Sequence, residues 1–122
     1  MEIRLTPKQV VQNWLSAFNK GDTKTLESLY AKNAVNHQMP NEPIYGQQAI
    51  GEMFRREFAA APEMHCIPVQ IIEEGNWAVL EWTDPKGFTG CGFFEVHEGL
   101  IKTQRGYWDR LTFNKLYNIV GT

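Results

Sequence analysis

Three short runs between Trp77 and Asp109, separated by tight turns, constrain this 122-residue chain more than any other stretch. Trp77–Thr83 (WAVLEWT) leads into a DPKG turn, Phe88–Val96 (FTGCGFFEV) into HEG, and Leu100–Asp109 (LIKTQRGYWD) closes the set. Runs of this length, rich in aromatic and β-branched residues and bounded by Asp, Pro and Gly, read as a three-strand meander. Alternation along the strands is expected to put Val79, Glu81, Phe88, Gly90, Gly92, Phe94, Val96, Gln104, Gly106 and Trp108 on one face. Ala78, Leu80, Trp82, Cys91, Phe93, Ile101, Tyr107 and Asp109 fall on the other. Three glycines on one face, beside a carboxylate and an amide, suggest a hollow, because strand glycines mark places of close approach. The opposite face is apolar too, which a sheet with one wet side would not be. Helices are expected to cover one face. A second copy of the chain is expected to cover the other, as a homodimer held by Leu80, Trp82, Phe93, Ile101 and Tyr107.

The remainder supplies those helices. Thr6, Pro7 and Gln9 form a Thr-x-x-Gln capping box with proline at the first helical position. Val10, Val11, Trp14, Leu15 and Phe18 make one apolar stripe, ended by Gly21. Asp22 or Thr23 caps a short second helix with Leu26, Leu29 and Tyr30, and Ala34–Met39 reads as a brief strand. After a PNEPIYG loop, Gln47 to Ala60 is a third helix burying Ile50, Met53, Phe54 and Phe58, closed by Pro62. Met64–Glu73 precedes the meander as a strand in which Pro68 argues for an edge or a bulge. RLTFNKL after Asp109 has room for two helical turns. Segregated helices and strands imply one α+β domain over residues 1–122, with three N-terminal helices on the concave face of a curved, cone-shaped antiparallel sheet.

A net charge of −2 with scattered Lys and Arg leaves no basic footprint for nucleic acid. The charged N-terminus is not a secretory signal, and no apolar run reaches membrane-spanning length. Cys66 and Cys91 lack metal or redox spacing and read as reduced thiols of a cytoplasmic protein. His65 and His97 are too far apart in pattern to propose a metal, and no cofactor motif is present.

The phrases WLSAFNKGDTKTLESLYAKNAV, NHQMP followed by YGQQAIGEMF, and GFFEVHEGLIKTQRGYWDRLTF resemble the nuclear transport factor 2-like superfamily, and within it the SnoaL-like proteins. The resemblance spans nearly the whole chain and implies a cone-shaped fold. It does not imply one chemistry, because isomerases, cyclases, epoxide hydrolases, dehydratases and binding proteins share that scaffold. The ketosteroid isomerase pattern is not met, since Trp14, Gln38 and Gly92 stand at its tyrosine, base and oxyanion-acid positions. The limonene epoxide hydrolase set is incomplete: Gln38 matches its amide, but Asn36 stands for the tyrosine, Val79 for the arginine and Gly106 for the second aspartate, with Glu81 as a substitute for the first. The SnoaL-like pattern is matched by His37 and Asp109.

Four residues follow as catalytic candidates. Glu81, between apolar neighbours, is either a raised-pKa acid–base or the partner of Arg55 or Arg56. His37 has a reference pKa suited to proton transfer, but it cannot face inward together with its neighbour Gln38 in a regular strand. Asp109 either shares the chemistry or caps the last helix. Trp14, Tyr30, Phe54, Phe58, Phe94, Gln104, Gly106 and Trp108 are expected to line a pocket for a small apolar molecule. Two functions fit: a cofactor-free isomerase-, cyclase- or hydratase-type proton-transfer enzyme, or a module that binds such a molecule without chemistry.

Overall fold

The computed structural model describes residues 4–118. Its elements run α1 (Pro7–Lys20), α2 (Thr23–Ser28), β1 (Tyr30–Gln38), β2 (Ile44–Tyr45), α3 (Gln47–Ala60), β3 (Ile67–Glu74), β4 (Trp77–Thr83), β5 (Thr89–His97), β6 (Leu100–Tyr107) and α4 (Arg110–Leu116). The strands form one curved, unclosed sheet in the order β2-β1-β6-β5-β4-β3. This is the expected α+β architecture.

Local signals act as read. Thr6 Oγ1 accepts from Gln9 N at 3.2 Å while Gln9 Oε1 accepts from Thr6 N at 2.9 Å, completing the capping box. Gly21 ends α1 in the left-handed region, and Asp22 rather than Thr23 caps α2 by accepting from Thr25 N. β3 is an edge strand whose register shifts between Pro68 and Gln70, so the proline sits where a missing N–H costs least. Glu98 and Gly99 both adopt positive φ in the two-residue β5–β6 hairpin, as a primed turn requires.

Three expectations give way. β1 is longer than the brief strand expected: it starts at Tyr30, which therefore belongs to the sheet and not to α2. It runs parallel to β6, so the sheet is mixed, and Ile44–Tyr45 in the supposed loop pairs with it as β2. The largest correction concerns β4. Leu80 pairs with Gly92, Ala78 with Phe94 and Trp82 with Gly90, so these three residues share the helix-covered face while Val79 and Glu81 point away. β4 carries apolar residues on both faces, with Trp77 and Val79 beside the exposed Glu81 on the outer one, so alternation along it sets its phase only weakly; the pairing with β5 fixes it. A register shift next to Val96 likewise brings Ile101 inside, fully buried. Leu80, Trp82 and Ile101 are core or near-core and cannot hold a dimer.

The core lies between the sheet and α1 and α3. Trp14 is its hub, with ring centroids 5.0 Å from Phe18, 5.4 Å from Phe94 and 6.4 Å from Phe54. Val10, Val11, Leu26, Ile50 and Ile101 are fully buried around it. Gly51 on α3 leaves room for Glu27 of α2, which ion-pairs with Arg55 at 3.1 Å. Arg55 is thus engaged by Glu27 and not by Glu81.

Candidate functional site

Beside this core the sheet and helices enclose a cavity of about 580 Å³. α1 contributes Trp14, α3 Phe54 and Glu57, the inner sheet face Asn36, Gln38, Leu80, Phe94, Gln104 and Gly106, and α4 Arg110, Phe113 and Tyr117. A volume in the several-hundred Å³ range suits a small molecule.

Two of the inner-face glycines make room for side chains and not for empty space. A Cβ on Gly106 would collide with the Gln38 amide, and one on Gly90 with the Trp82 ring. Gly106 thereby lets Gln38 lie against the sheet, where Gln38 Nε2 donates to Asn36 Oδ1 at 2.7 Å and Gln38 Oε1 accepts from Trp108 Nε1 at 2.9 Å. Asn36 Nδ2 donates to Gln104 Oε1 at 3.2 Å. Tyr30 donates its hydroxyl proton to the same oxygen and accepts from Trp14 Nε1 at 3.0 Å. Burial, reinforced by the negative charge of Glu57, pushes the Tyr30 phenol far above its ordinary pKa, so it stays a donor.

The carboxyl of Glu57 is the most perturbed acid in the wall. Burial pushes it up to about 7, with Arg56 as the opposing influence. Glu57 is half-buried and accepts no hydrogen bond among the described residues, so partial desolvation raises its pKa with only the Arg56 charge opposing. Elsewhere in the lining, Asp84 Oδ1 accepts from the backbone of Lys86 and Phe88 at 2.9 Å each, and Asp84 Oδ2 accepts from the Tyr117 hydroxyl. Arg110 donates to the carbonyl of Pro40 and to Asn41 Oδ1, tying α4 to the β1–β2 loop. Burial, with the charge of Asp84, pushes the Cys66 thiol up to about 12, which makes it a poor nucleophile. Both cysteines are free.

The expected residues divide accordingly. Gln38, Trp14, Phe54, Phe94, Gln104, Gly106 and Trp108 line the cavity. Tyr30 and Phe58 lie behind that lining: Tyr30 is fully buried under Gln104, and Phe58 packs on Phe18 and Phe54 at 5.1 and 6.4 Å. Glu81 is on the wrong face for the cavity, exposed, and accepts from Gln70 Nε2 at 3.2 Å. His37, between the inward Asn36 and Gln38, points out of the other side of β1, as alternation demands. Asp109 is the exposed N-cap of α4, accepting from Thr112 N at 2.9 Å; its bonds to Thr112 lower its pKa. Glu57 was missed. It completes the α3 stripe Ile50, Met53, Phe54, Glu57, and a carboxylate in the fourth place of an apolar i, i+3, i+4, i+7 set was the available signal. Among the described residues no three His, Cys, Asp or Glu side chains gather as a metal site. Among the described residues no helix is long and apolar enough to cross a membrane.

The SnoaL-like domain matches residues 11–104. The chain belongs to the SnoaL-like family. No curated protein sequence matches it. Among solved structures, this SnoaL-like chain is similar to an NTF2-like protein of unknown function from Cytophaga hutchinsonii, with 16% identity, 93% of this chain and 98% of that one covered, and a TM-score of 0.77. An LEH-like epoxide hydrolase of M. tuberculosis is similar at 23% identity, over 89% and 86% of the two chains, with a TM-score of 0.74. A candidate polyketide cyclase from Sinorhizobium meliloti shares 20% identity over 80% and 92%, with a TM-score of 0.73. At these identities the likeness carries the fold alone.

Proposed function

We propose that this SnoaL-like protein is a cofactor-free acid–base catalyst for a small, largely apolar molecule, and that Glu57 is the group that moves the proton. The observation that carries the reading is a carboxyl, accepting no hydrogen bond among the described residues and raised to about 7, in the wall of a cavity that Trp14, Phe54, Leu80, Phe94 and Trp108 make largely apolar. An acid whose pKa lies near the working pH is both a competent base and a competent acid. As carboxylate, Glu57 takes a proton from a substrate carbon, and the electron pair left behind delocalises into the substrate. As carboxylic acid, it returns the proton to a second atom, so nothing is oxidised or reduced. The neighbours called polyketide cyclase and epoxide hydrolase make isomerisation or cyclisation the coarse class that suits this fold.

The test is deuterium uptake from heavy water into a panel of small apolar carbon acids, followed by mass spectrometry. Wild-type protein is expected to catalyse uptake, and Glu57→Gln to slow it by about 10²-fold or more, the usual worth of a positioned general base. Equal rates in both proteins would exclude Glu57. Binding of the same molecules with no uptake in wild type would favour the non-catalytic module instead.

A further inference from the structure

The amide network in the cavity wall has a direction that is independent of how the amide oxygens and nitrogens are assigned. An indole N–H can only donate. Trp108 Nε1 lies 2.9 Å from the Gln38 amide, so the atom it meets must be the oxygen. Gln38 then offers its nitrogen to Asn36 at 2.7 Å, which must answer with oxygen and pass its own nitrogen to Gln104 at 3.2 Å. From the other side, Trp14 Nε1 donates to the Tyr30 oxygen at 3.0 Å, which sends the phenolic proton on to Gln104. Two indoles therefore drive two hydrogen-bond chains that meet on one atom, Gln104 Oε1, and use both of its lone pairs.

What remains of Gln104 is its amide nitrogen with two protons. The residue is only 4% exposed, yet it lines the cavity, and Nε2 meets no acceptor among the described residues while not being sealed in the core. A donor in this state is polarised by the two bonds accepted at its oxygen and lacks an acceptor of its own. The opposite end of each other amide is also taken: the Asn36 and Gln38 oxygens each hold a protein donor. The amides on the sheet side of the wall thus offer N–H groups to a ligand and withhold their oxygens.

We infer that Gln104 Nε2 is the hydrogen-bond donor for a ligand oxygen, and that the cavity selects small apolar molecules carrying a carbonyl or a comparable sp² oxygen. Gln104 is a specificity-determining residue, with Tyr30, Asn36, Trp14 and Trp108 as the positioning residues that set its orientation. The inference rests on the reading above in one respect, that the cavity takes a small apolar molecule. It does not require Glu57 to move a proton.

The experiment compares two probes of nearly one shape, 2-acetylnaphthalene and 2-isopropenylnaphthalene, which differ in an oxygen against a methylene. Affinity is read from quenching of tryptophan fluorescence, and the carbonyl stretch of the bound ketone from infrared difference spectra. Wild-type protein is expected to prefer the ketone by about tenfold, the worth of one well-placed hydrogen bond, and to shift its carbonyl stretch to lower frequency than in hexane. Gln104→Leu should abolish both the preference and the shift, and neither readout requires that a proton be transferred. Equal affinity of the two probes for wild type, or an unshifted carbonyl, would overturn the proposal. These wild-type measurements decide it even where Gln104→Leu, which strands the Tyr30 and Asn36 donors, fails to fold. Retention of the ketone preference in a folded Gln104→Leu would also overturn it.

Discussion

Glu57 has a consequence for stability that is separate from turnover. Its pKa is raised by burial from the ordinary carboxylate value to about 7 in the folded chain. The folded state therefore holds a proton that the unfolded state has released as pH climbs from about 4.5 to about 7. Stability contributed in this window falls with rising pH and levels off above it, an effect on the order of 2 kcal/mol. Glu57→Gln removes the titration, so its stability curve is expected to run flatter than wild type across that window and to lie at or above it at pH 8. Denaturant melts at a series of pH values check this, and a variant that keeps the wild-type slope would reassign the titration elsewhere. The same scale shows what single residues can conceal. Glu81 looked buried because Leu80 and Trp82 flank it, and those neighbours are buried and half-buried, but on the face to which Glu81 does not point.

Among the elements, α4 depends most on contacts made outside itself. It spans only Arg110–Leu116, buries no residue fully, and leaves Leu111 75% exposed. A helix of two turns has little intrinsic stability in water. Its hold comes from Arg110 on the β1–β2 loop, from Phe113 stacked 4.7 Å from Tyr117 and 5.6 Å from Phe88, and from Tyr117 on buried Asp84. Lys86 adds its ammonium 4.4 Å above the Tyr117 ring. Tyr117→Phe keeps the stacking and leaves Asp84 Oδ2 without its donor, at a cost of about 1–3 kcal/mol. Because α4 lines the cavity, the expected result is faster amide exchange in residues 110–116, with β5 and β6 protected as before. Uniformly faster exchange across the sheet would mean that α4 is part of the global fold and not a separately held cover. The sequence pattern located this helix, and of the two readings it left for Asp109, shared chemistry or helix cap, the structure has the cap, which is decided within four residues. It carried no sign that the helix walls a cavity.

On the scale of the whole molecule, the outer face of the sheet is the surface most in need of a partner. Phe93 and Tyr107 meet there at 5.7 Å, and the Arg105 guanidinium lies 4.8 Å over Trp77 and 5.3 Å over Phe93. Ile72 and Tyr107 are 53% and 42% exposed. A second copy of the chain remains the proposed cover, now through these residues and not through Leu80, Trp82 or Ile101. Sedimentation at micromolar concentration is expected to give a dimer, and Phe93→Lys, which sets a second cation directly opposite Arg105 in the patch, to give a folded monomer. A wild-type monomer would remove the proposal.

The chain by itself determined whatever depends on near neighbours. The capping box at Thr6, the stop at Gly21, the edge position of Pro68 and the run of four strands from β3 to β6 all follow from residues within a turn or a strand of one another. The candidate lining was legible for the same reason: Phe94, Gln104, Gly106 and Trp108 alternate along β5 and its neighbour, and Trp14 and Phe54 lie on plain helical stripes. Only the tertiary structure decided which face of β4 looks inward, that β1 joins the sheet parallel to β6, and that Glu57 meets no donor. Each of these depends on pairing between segments far apart in sequence. Where a strand carries apolar residues on both faces, as β4 does with Trp77 and Val79 beside Glu81, a one-residue slip costs the local pattern little, and the pairing partner makes the choice.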